Sequence, residues 1–248
     1  MIRLHRPAAP TGHDARASRG TRKLWDAWHA NGKVPSAKSA IYAHPSVKKA
    51  LRDAQHQKCA YCETLNPTSH DVVEHFRPKN GWRQKRGGRL GKPAYFWLSY
   101  DWDNLLFACD QCNDAGHKQN LFPLANPPSR ANPASPDVSG EKPLLVNPYS
   151  VDPALHIEWN RDIPRPHQRS RMGRVTIEGF GLDRDGLLMD QRRKYLNETE
   201  RVLALLESAP SMTNEWLEVK AVLLGCLADS APWAAMIRAN LGDRIQAL

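Results

Sequence analysis

Apolar residues recur at helical spacing in two stretches near the start of the chain and three near its end. Leu24, Trp25 and Trp28 share one side of Thr21–Asn31, and Gly32 is placed to stop that helix. Pro45 suits a first helical turn, and Val47, Ala50, Leu51 and Ala54 then follow at i, i+3, i+4 and i+7. Leu188, Arg192, Tyr195, Thr199, Val202, Leu203 and Leu206 predict a long helix ending before Pro210. Two more are expected at Glu215–Leu227 and Trp233–Leu241, the last stopping at Gly242. Between these ends the pattern changes. Val72–Phe76, Leu144–Val146, Leu155–Trp159 and Val175–Ile177 read as short strands, and Arg77–Lys92, with four glycines, as a loop. From Asn104 the run LLFACDQCND suits a turn leading into a short helix. Pro123–Pro153 holds eight prolines and predicts irregular chain, while polar Met1–Gly20 predicts an extended or flexible start.

Composition narrows the class. The 248 residues allow one large domain or two small ones, and 41% apolar with 25% charged residues suits a globular chain. The longest apolar run, Ala221–Ala228, falls far short of the ~18 residues of a membrane span. The Arg- and His-rich beginning has no apolar core, so neither a secretory signal nor a membrane association is expected, and a cytoplasmic location is. There, five cysteines point to metal or catalysis before disulfides. The net charge of +9 is uneven: residues 1–100 hold 19 basic and 6 acidic side chains, and the remainder 16 and 20. That asymmetry argues for a polyanion met by the first half, although a charge excess is most often a solvated face.

Two C-x-x-C pairs, Cys59/Cys62 and Cys109/Cys112, are separated by 46 residues. Each aims two thiolates at one point, and together they complete a closed four-sulfur structural zinc site. A redox pair would need only one such turn, in a thioredoxin-like setting that is absent. The spacing is long for a zinc finger, so the metal clamps an insertion. Cys226, in an apolar helical run, reads as a buried thiol without a role.

Within the insertion lie Val72-Val73-Glu74-His75-Phe76-Arg77-Pro78-Lys79 and Trp102-Asp103-Asn104-Leu105-Leu106; Asn113 directly follows the second knuckle. These residues resemble the HNH, or ββα-metal, endonucleases. The strings CAYCE, VEHFRPK, YFWLSYDWDNLLFACDQCN and NLFPL are similar to the HNH subunit of bacterial anti-phage systems of the Septu type and related retron systems, the PtuB-like family; LLVNPYSVDPALHIEW and TIEGFGLDRDGLLMDQRR echo it more weakly. The resemblance implies an α+β, mostly α-helical fold. A small ββα-metal core (59–125) is stapled by the zinc, preceded by a helical segment (1–58) and followed by a Pro-rich connection and helical region (126–248).

It further implies that His75 is the general base, that Glu74 and Asn113 hold a catalytic Mg²⁺ or Mn²⁺, and that Asn104 fixes the loop and orients His75. The chemistry agrees: phosphodiester hydrolysis needs a base near neutral pKa, and a hard, incomplete oxygen ligand set leaves room for phosphate and water. Adjacent strand residues point to opposite faces, so a bulge or twist is expected at Glu74-His75. Glu replaces the usual first-motif Asp, and Asn113 the usual His. His117, at i+4 from Asn113, is a candidate further ligand.

Seven cations and no acid fill residues 77–92. Arg77, Lys79, Arg83, Lys85 and Arg86, with Lys118, are the candidate nucleic-acid contacts; Trp82 among them can stack on an unpaired base. The bland alternative is a solvated insertion. A second basic stretch, Arg161–Arg174, either extends the groove or faces solvent. Trp97, Trp102, Trp159 and Trp216 read as core, and His70 and His156 have no motif context. The expected activity is a metal-dependent endonuclease, DNA favoured, acting as a defence effector. The resemblance implies an ABC/SMC-like ATPase partner (PtuA-like), with the mildly acidic C-terminal half as the docking surface. The alternatives are an RNA or tRNA endonuclease, and a non-catalytic zinc module binding nucleic acid or a partner.

Overall fold

The structure is a computed structural model that describes residues 1–65, 71–114, 116–209 and 213–248. It is mostly helical, with two small two-stranded sheets. Helices α1 (His13–Asn31), α2 (Ser39–Tyr42) and α3 (Pro45–Ala54) come first. Strands β1 (Asp71–His75) and β2 (Leu105–Cys109) form an antiparallel pair, and α4 (Asp110–Asn113) follows directly. Strands β3 (Ile157–Asn160) and β4 (Ile163–Pro166) pair next, and helices α5 (Arg171–Phe180), α6 (Leu187–Ser208), α7 (Asn214–Gly225) and α8 (Ala234–Gln246) close the chain. No helix among the described residues is long and apolar enough to cross a membrane.

The α3, α6 and α7 expectations hold within a few residues, and so does the β1 strand. The first helix, however, starts at His13 rather than Thr21. Tertiary contacts extend it: buried His13 bonds through Nε2 to the Tyr100 carbonyl at 3.0 Å, and Gly20 lies so close to the Tyr100 ring that a Cβ would sit 2.6 Å from it. Residues 1–10 are extended but packed, with Met1, Ile2 and Leu4 in the core. Strand β2 was hidden in LLFAC, a wholly apolar run with no alternation to betray its period. Val175–Ile177 is not a strand but part of α5. Ser170 caps that helix by accepting from the Gly173 amide at 3.1 Å, and burial of Thr176, Ile177 and Phe180 on one face outweighs the β preference of Val, Thr and Ile. Leu144–Val146 is irregular chain, its amides bonded to the Pro123 carbonyl (from Leu144, 2.9 Å) and Thr176 Oγ1 (from Val146, 2.9 Å). Helix α8 runs through Gly242, which is buried inside it.

One core cluster draws Leu4, Leu24, Tyr61, Phe96, Phe122, Leu145 and Ile177 together around the cysteines. A second joins Leu196, Leu203, Trp216, Leu223 and Ile237 of α6, α7 and α8. A third, with Val47, Leu51, Val73, Leu105 and Phe107, seats α3 against the β1–β2 pair. Trp97 and Trp216 are buried, as expected of core residues, and Trp102 and Trp159 are half-buried.

Candidate functional site

The β1–β2 ladder pairs Asp71 with Cys109 at one end and His75 with Leu105 at the other, with no bulge between them. Cys109 ends β2, and α4 turns Cys112 back beside it. Opposite, the first knuckle is anchored to the same sheet by Ala60 N–H, which donates to the Phe107 carbonyl at 3.1 Å, and its own turn is closed by Cys59 N–H donating to the Thr64 carbonyl at 3.0 Å. The four Sγ atoms of Cys59, Cys62, Cys109 and Cys112 lie within 4.8 Å of one another, and Cys62 and Cys109 are 3.7 Å apart. A tetrahedron with zinc–sulfur bonds of ~2.3 Å has edges of ~3.8 Å. The donor set therefore fits a metal ion such as zinc, closed on all four sides. Cys59, Cys62 and Cys112 are buried and Cys109 half-buried. Burial pushes the Cys59 thiol well up, whereas bonds from Cys109, Cys112 and Cys59 hold Cys62 well down; sulfurs this close need a cation to ionise together.

Two arginines support this cluster. Arg184 reaches Cys112 Sγ at 3.7 Å and the Gly181 carbonyl at 2.9 Å; buried Arg192 donates to the Cys62 carbonyl at 3.2 Å and to that of Leu182. Residue-by-residue reading assigned neither a role. Both lie in the string TIEGFGLDRDGLLMDQRR, which was the available signal.

A cleft of about 360 Å³ takes four consecutive β1 residues, 72–75, into its wall. It therefore follows the strand's free edge rather than one face, which brings alternating side chains together without the expected bulge. Glu74, His75 and Asn113 all border it, with Tyr42, Lys48 and Lys79. Asn104 lies behind: its Oδ1 accepts from the Arg77 amide at 2.7 Å, and its Nδ2 donates to the carbonyls of Arg77 and Leu98, each at 3.0 Å. One side chain thus ties the chain leaving β1 to the chain entering β2.

His75 is buried, its Nε2 2.9 Å from the Ser99 carbonyl. A carbonyl only accepts, so Nε2 carries the proton and Nδ1 keeps its lone pair. Lys79 Nζ lies 3.2 Å from Nδ1. Burial, reinforced by Lys79, holds the imidazole well below its usual range and hence neutral at pH 7. Ser99 contributes only a backbone oxygen, which no sequence signal marks. Glu74 is also buried; desolvation raises its carboxyl, and the Lys118 ammonium, in direct ion-pair contact with Oε1, opposes this.

The remaining candidates fare differently. Lys118 is wholly buried between Glu74 and the His75 carbonyl, to which it donates at 2.7 Å, so it braces the cleft from within and cannot meet a phosphate. Arg77 turns from the cleft to Glu141, Nε to Oε2 at 2.8 Å. Arg83 donates to the Gly88 carbonyl, and Arg86 to those of Gly116 and Glu178. Lys85 is exposed and Lys79 lines the cleft. The Trp82 ring is covered by Arg130 at 3.9 Å, with Gly91 packed close against it, leaving little face for a base. His117 does not line the cleft: its ring packs on Gly181, and Nδ1 meets Asp114 Oδ1 at 2.9 Å. Gly181 has φ +55° and no side chain, and it needs both properties there. His156 bonds through Nδ1 to Ser170 Oγ at 2.8 Å, and Arg161 to Asn197 and Glu200, each at 2.9 Å. Cys226 is half-buried at the end of α7. His70 lies outside the described residues.

Comparison with known proteins finds Septu protein PtuB of Bacillus mycoides 38% identical over 161 residues, covering 64% of this chain and 54% of that one. Over that stretch the chain is similar to PtuB. A second Septu protein PtuB, from Bacillus thuringiensis, is 29% identical over 131 residues, 51% of this chain and 42% of that protein. The similarity read from CAYCE and the strings that follow it is thereby borne out at the level of the PtuB-like Septu proteins. The chain spans about half the length of these curated PtuB relatives. Septu protein PtuA of Bacillus mycoides, expected only as a partner, itself carries a stretch 26% identical over 174 residues, 69% of this chain but 24% of PtuA. No protein-family model and no solved structure matches the chain.

Proposed function

We propose that this PtuB-like chain is a metal-dependent HNH endonuclease, DNA favoured, serving as the effector of a Septu-type anti-phage system. The observation that carries this reading is the cleft where Glu74, His75 and Asn113 meet, with the His75 tautomer fixed by the Ser99 carbonyl. The β1–β2–α4 sequence of elements and the bracing by Asn104 support a ββα-metal core.

Glu74 and Asn113, residues of the cleft wall, carry a carboxylate and a side-chain carbonyl oxygen, hard donors of the kind that fit Mg²⁺ or Mn²⁺. Glu74 Oε1 has no partner beyond the Lys118 ammonium, so this buried carboxylate has coordinating capacity to spare. When bound, the cation polarises the phosphodiester and offsets charge on the leaving oxygen. The chain's own residues do the rest. Lys79 reaches a phosphate oxygen and in doing so leaves His75 Nδ1 free. Nδ1 then takes a proton from water, and the resulting hydroxide attacks phosphorus as the leaving oxygen departs. Asn104 and the Ser99 carbonyl keep the imidazole aimed.

An ATPase partner of the PtuA kind belongs to the same proposal, supported by similarity to two proteins of one defence system, PtuB and PtuA. The test is incubation of the chain, alone and with such a partner, with plasmid DNA and total RNA in Mg²⁺ or Mn²⁺. Cleavage lost in His75→Ala supports the mechanism. Cleavage confined to RNA would make it an RNA or tRNA endonuclease. Binding without cleavage under every condition would leave a zinc module without activity.

A further inference from the structure

Two further depressions continue the cleft, and neither has an acid in its wall. The first, of about 650 Å³, shares Lys79 and Asn80 with the cleft and adds Lys33, Lys92, Trp28 and Phe96. The second shares Pro35 and Ser36 with the first and adds Arg16, Arg19, Lys23 and Lys38. Arg16, Arg19 and Lys23 stand at i, i+3 and i+7, on one face of α1. The acids of α1, Asp14 and Asp26, line neither depression.

These cations are held apart from acids. Among the described residues, the ion pairs of the first hundred positions are those of Met1 and Lys58 with Glu63, Arg6 with Asp103, Lys49 with Asp53, Glu74 with Lys118, and Arg77 with Glu141, besides the partners of Arg52. None includes Arg16, Arg19, Lys23, Lys33, Lys38 or Lys92. Arg16 Nε and Nη2 are moreover buried without a hydrogen-bond partner. Arg77, Arg83 and Arg86, by contrast, are occupied with internal carboxylates or carbonyls. Like charges gathered along one groove repel each other, and a polyanion relieves that repulsion.

We propose that a nucleic-acid strand leaving the Glu74–His75 cleft runs past Lys79 into the groove of Lys33 and Lys92, then along the Arg16–Arg19–Lys23 face of α1. This rests on the endonuclease reading for the cleft end and adds the path of the substrate. Phosphates meet the cations, and Trp28, half-buried in the wall, offers an aromatic face to a base.

The test is equilibrium binding of a labelled oligonucleotide, single-stranded and duplex, to the full chain carrying His75→Ala, without divalent metal, across a salt series. In that background, Arg16→Ala/Arg19→Ala/Lys23→Ala should weaken binding at least ~10-fold at ~0.1 M salt and flatten the logarithmic salt slope by about 2, at ~0.7–0.9 per lost contact. Lys33→Ala/Lys92→Ala should flatten it by about 1.5. The matched control, Lys194→Ala/Arg201→Ala on α6, should leave the slope unchanged. Thermal melts check that each variant is folded. Groove variants that bind with the parent's affinity and slope, or a parent that binds no oligonucleotide, would overturn the path. If the unsubstituted chain cleaves nothing but binding still depends on these cations, the path stands and only the nuclease reading fails.

Discussion

One five-residue ladder carries two sites of opposite character. At the Cys109 end, four soft sulfurs close on a point and leave no open side. Toward the His75 end, oxygen and nitrogen donors line an open cleft. At ~3.4 Å per residue the ladder is only ~14 Å long, so the two sites share a backbone. Cys112 belongs to the sulfur cluster and the next residue, Asn113, to the cleft. Closure suits a structural ion and openness a reactive one. The closed site holds the ends of a long insertion together, and that insertion supplies Glu74, His75 and Asn104 to the open one.

The sharpest way to break this contrast is to remove the closed site. Chelating the metal, or Cys62→Ser, should abolish cooperative unfolding and empty the cleft of function, because a structural zinc site contributes ~10 kcal/mol or more to folding. Elemental analysis should find one zinc per chain, and a stable metal-free fold would refute the clamp.

His75→Ala should do the reverse: cleavage falls by ~10²–10⁴-fold while stability falls by only ~1–3 kcal/mol, the cost of leaving the Ser99 carbonyl without its buried partner. Equal loss of stability would mean that the open end is structural as well.

Lys118→Met lies between these extremes. It leaves the Glu74 carboxylate buried without its counter-charge, a loss of ~3–5 kcal/mol measured by denaturant unfolding. Adding Glu74→Gln should recover much of that stability and none of the activity.

The smallest expected effect is that of Arg86→Ala. Its guanidinium is spent on the carbonyls of Gly116 and of Glu178 in α5, so stability should fall by ~1 kcal/mol while the salt slope of nucleic-acid binding stays put. A flattened slope would return Arg86 to the binding surface.

Much of the site was legible because its signals are local. C-x-x-C fixes ligand type and spacing within one turn, and Glu74-His75 sits on a strand whose pattern is visible. What escaped depends on distant chain. Strand β2 is uniformly apolar, so its partner β1 decides its form. The start of α1 depends on Tyr100, 87 residues away, and the helical state of Val175–Ile177 on the packing of α5. A count of positive charge could not tell that Arg77, Arg83 and Arg86 are occupied internally while Arg16, Lys23 and Lys33 are not.

By itself, then, the sequence picked out the four cysteines that the fold gathers, Glu74, His75, Asn104 and Asn113 as candidates, the similarity to PtuB and the positive bias of the first half. Only the tertiary structure decided which cations are free, that Lys118 is a buried brace, that His117 faces Gly181, and that a backbone carbonyl from Ser99 sets the tautomer of His75. The physical reason is the same in each case. Residue type fixes what a group can do, but burial and the partner across the fold fix whether it is available to do it.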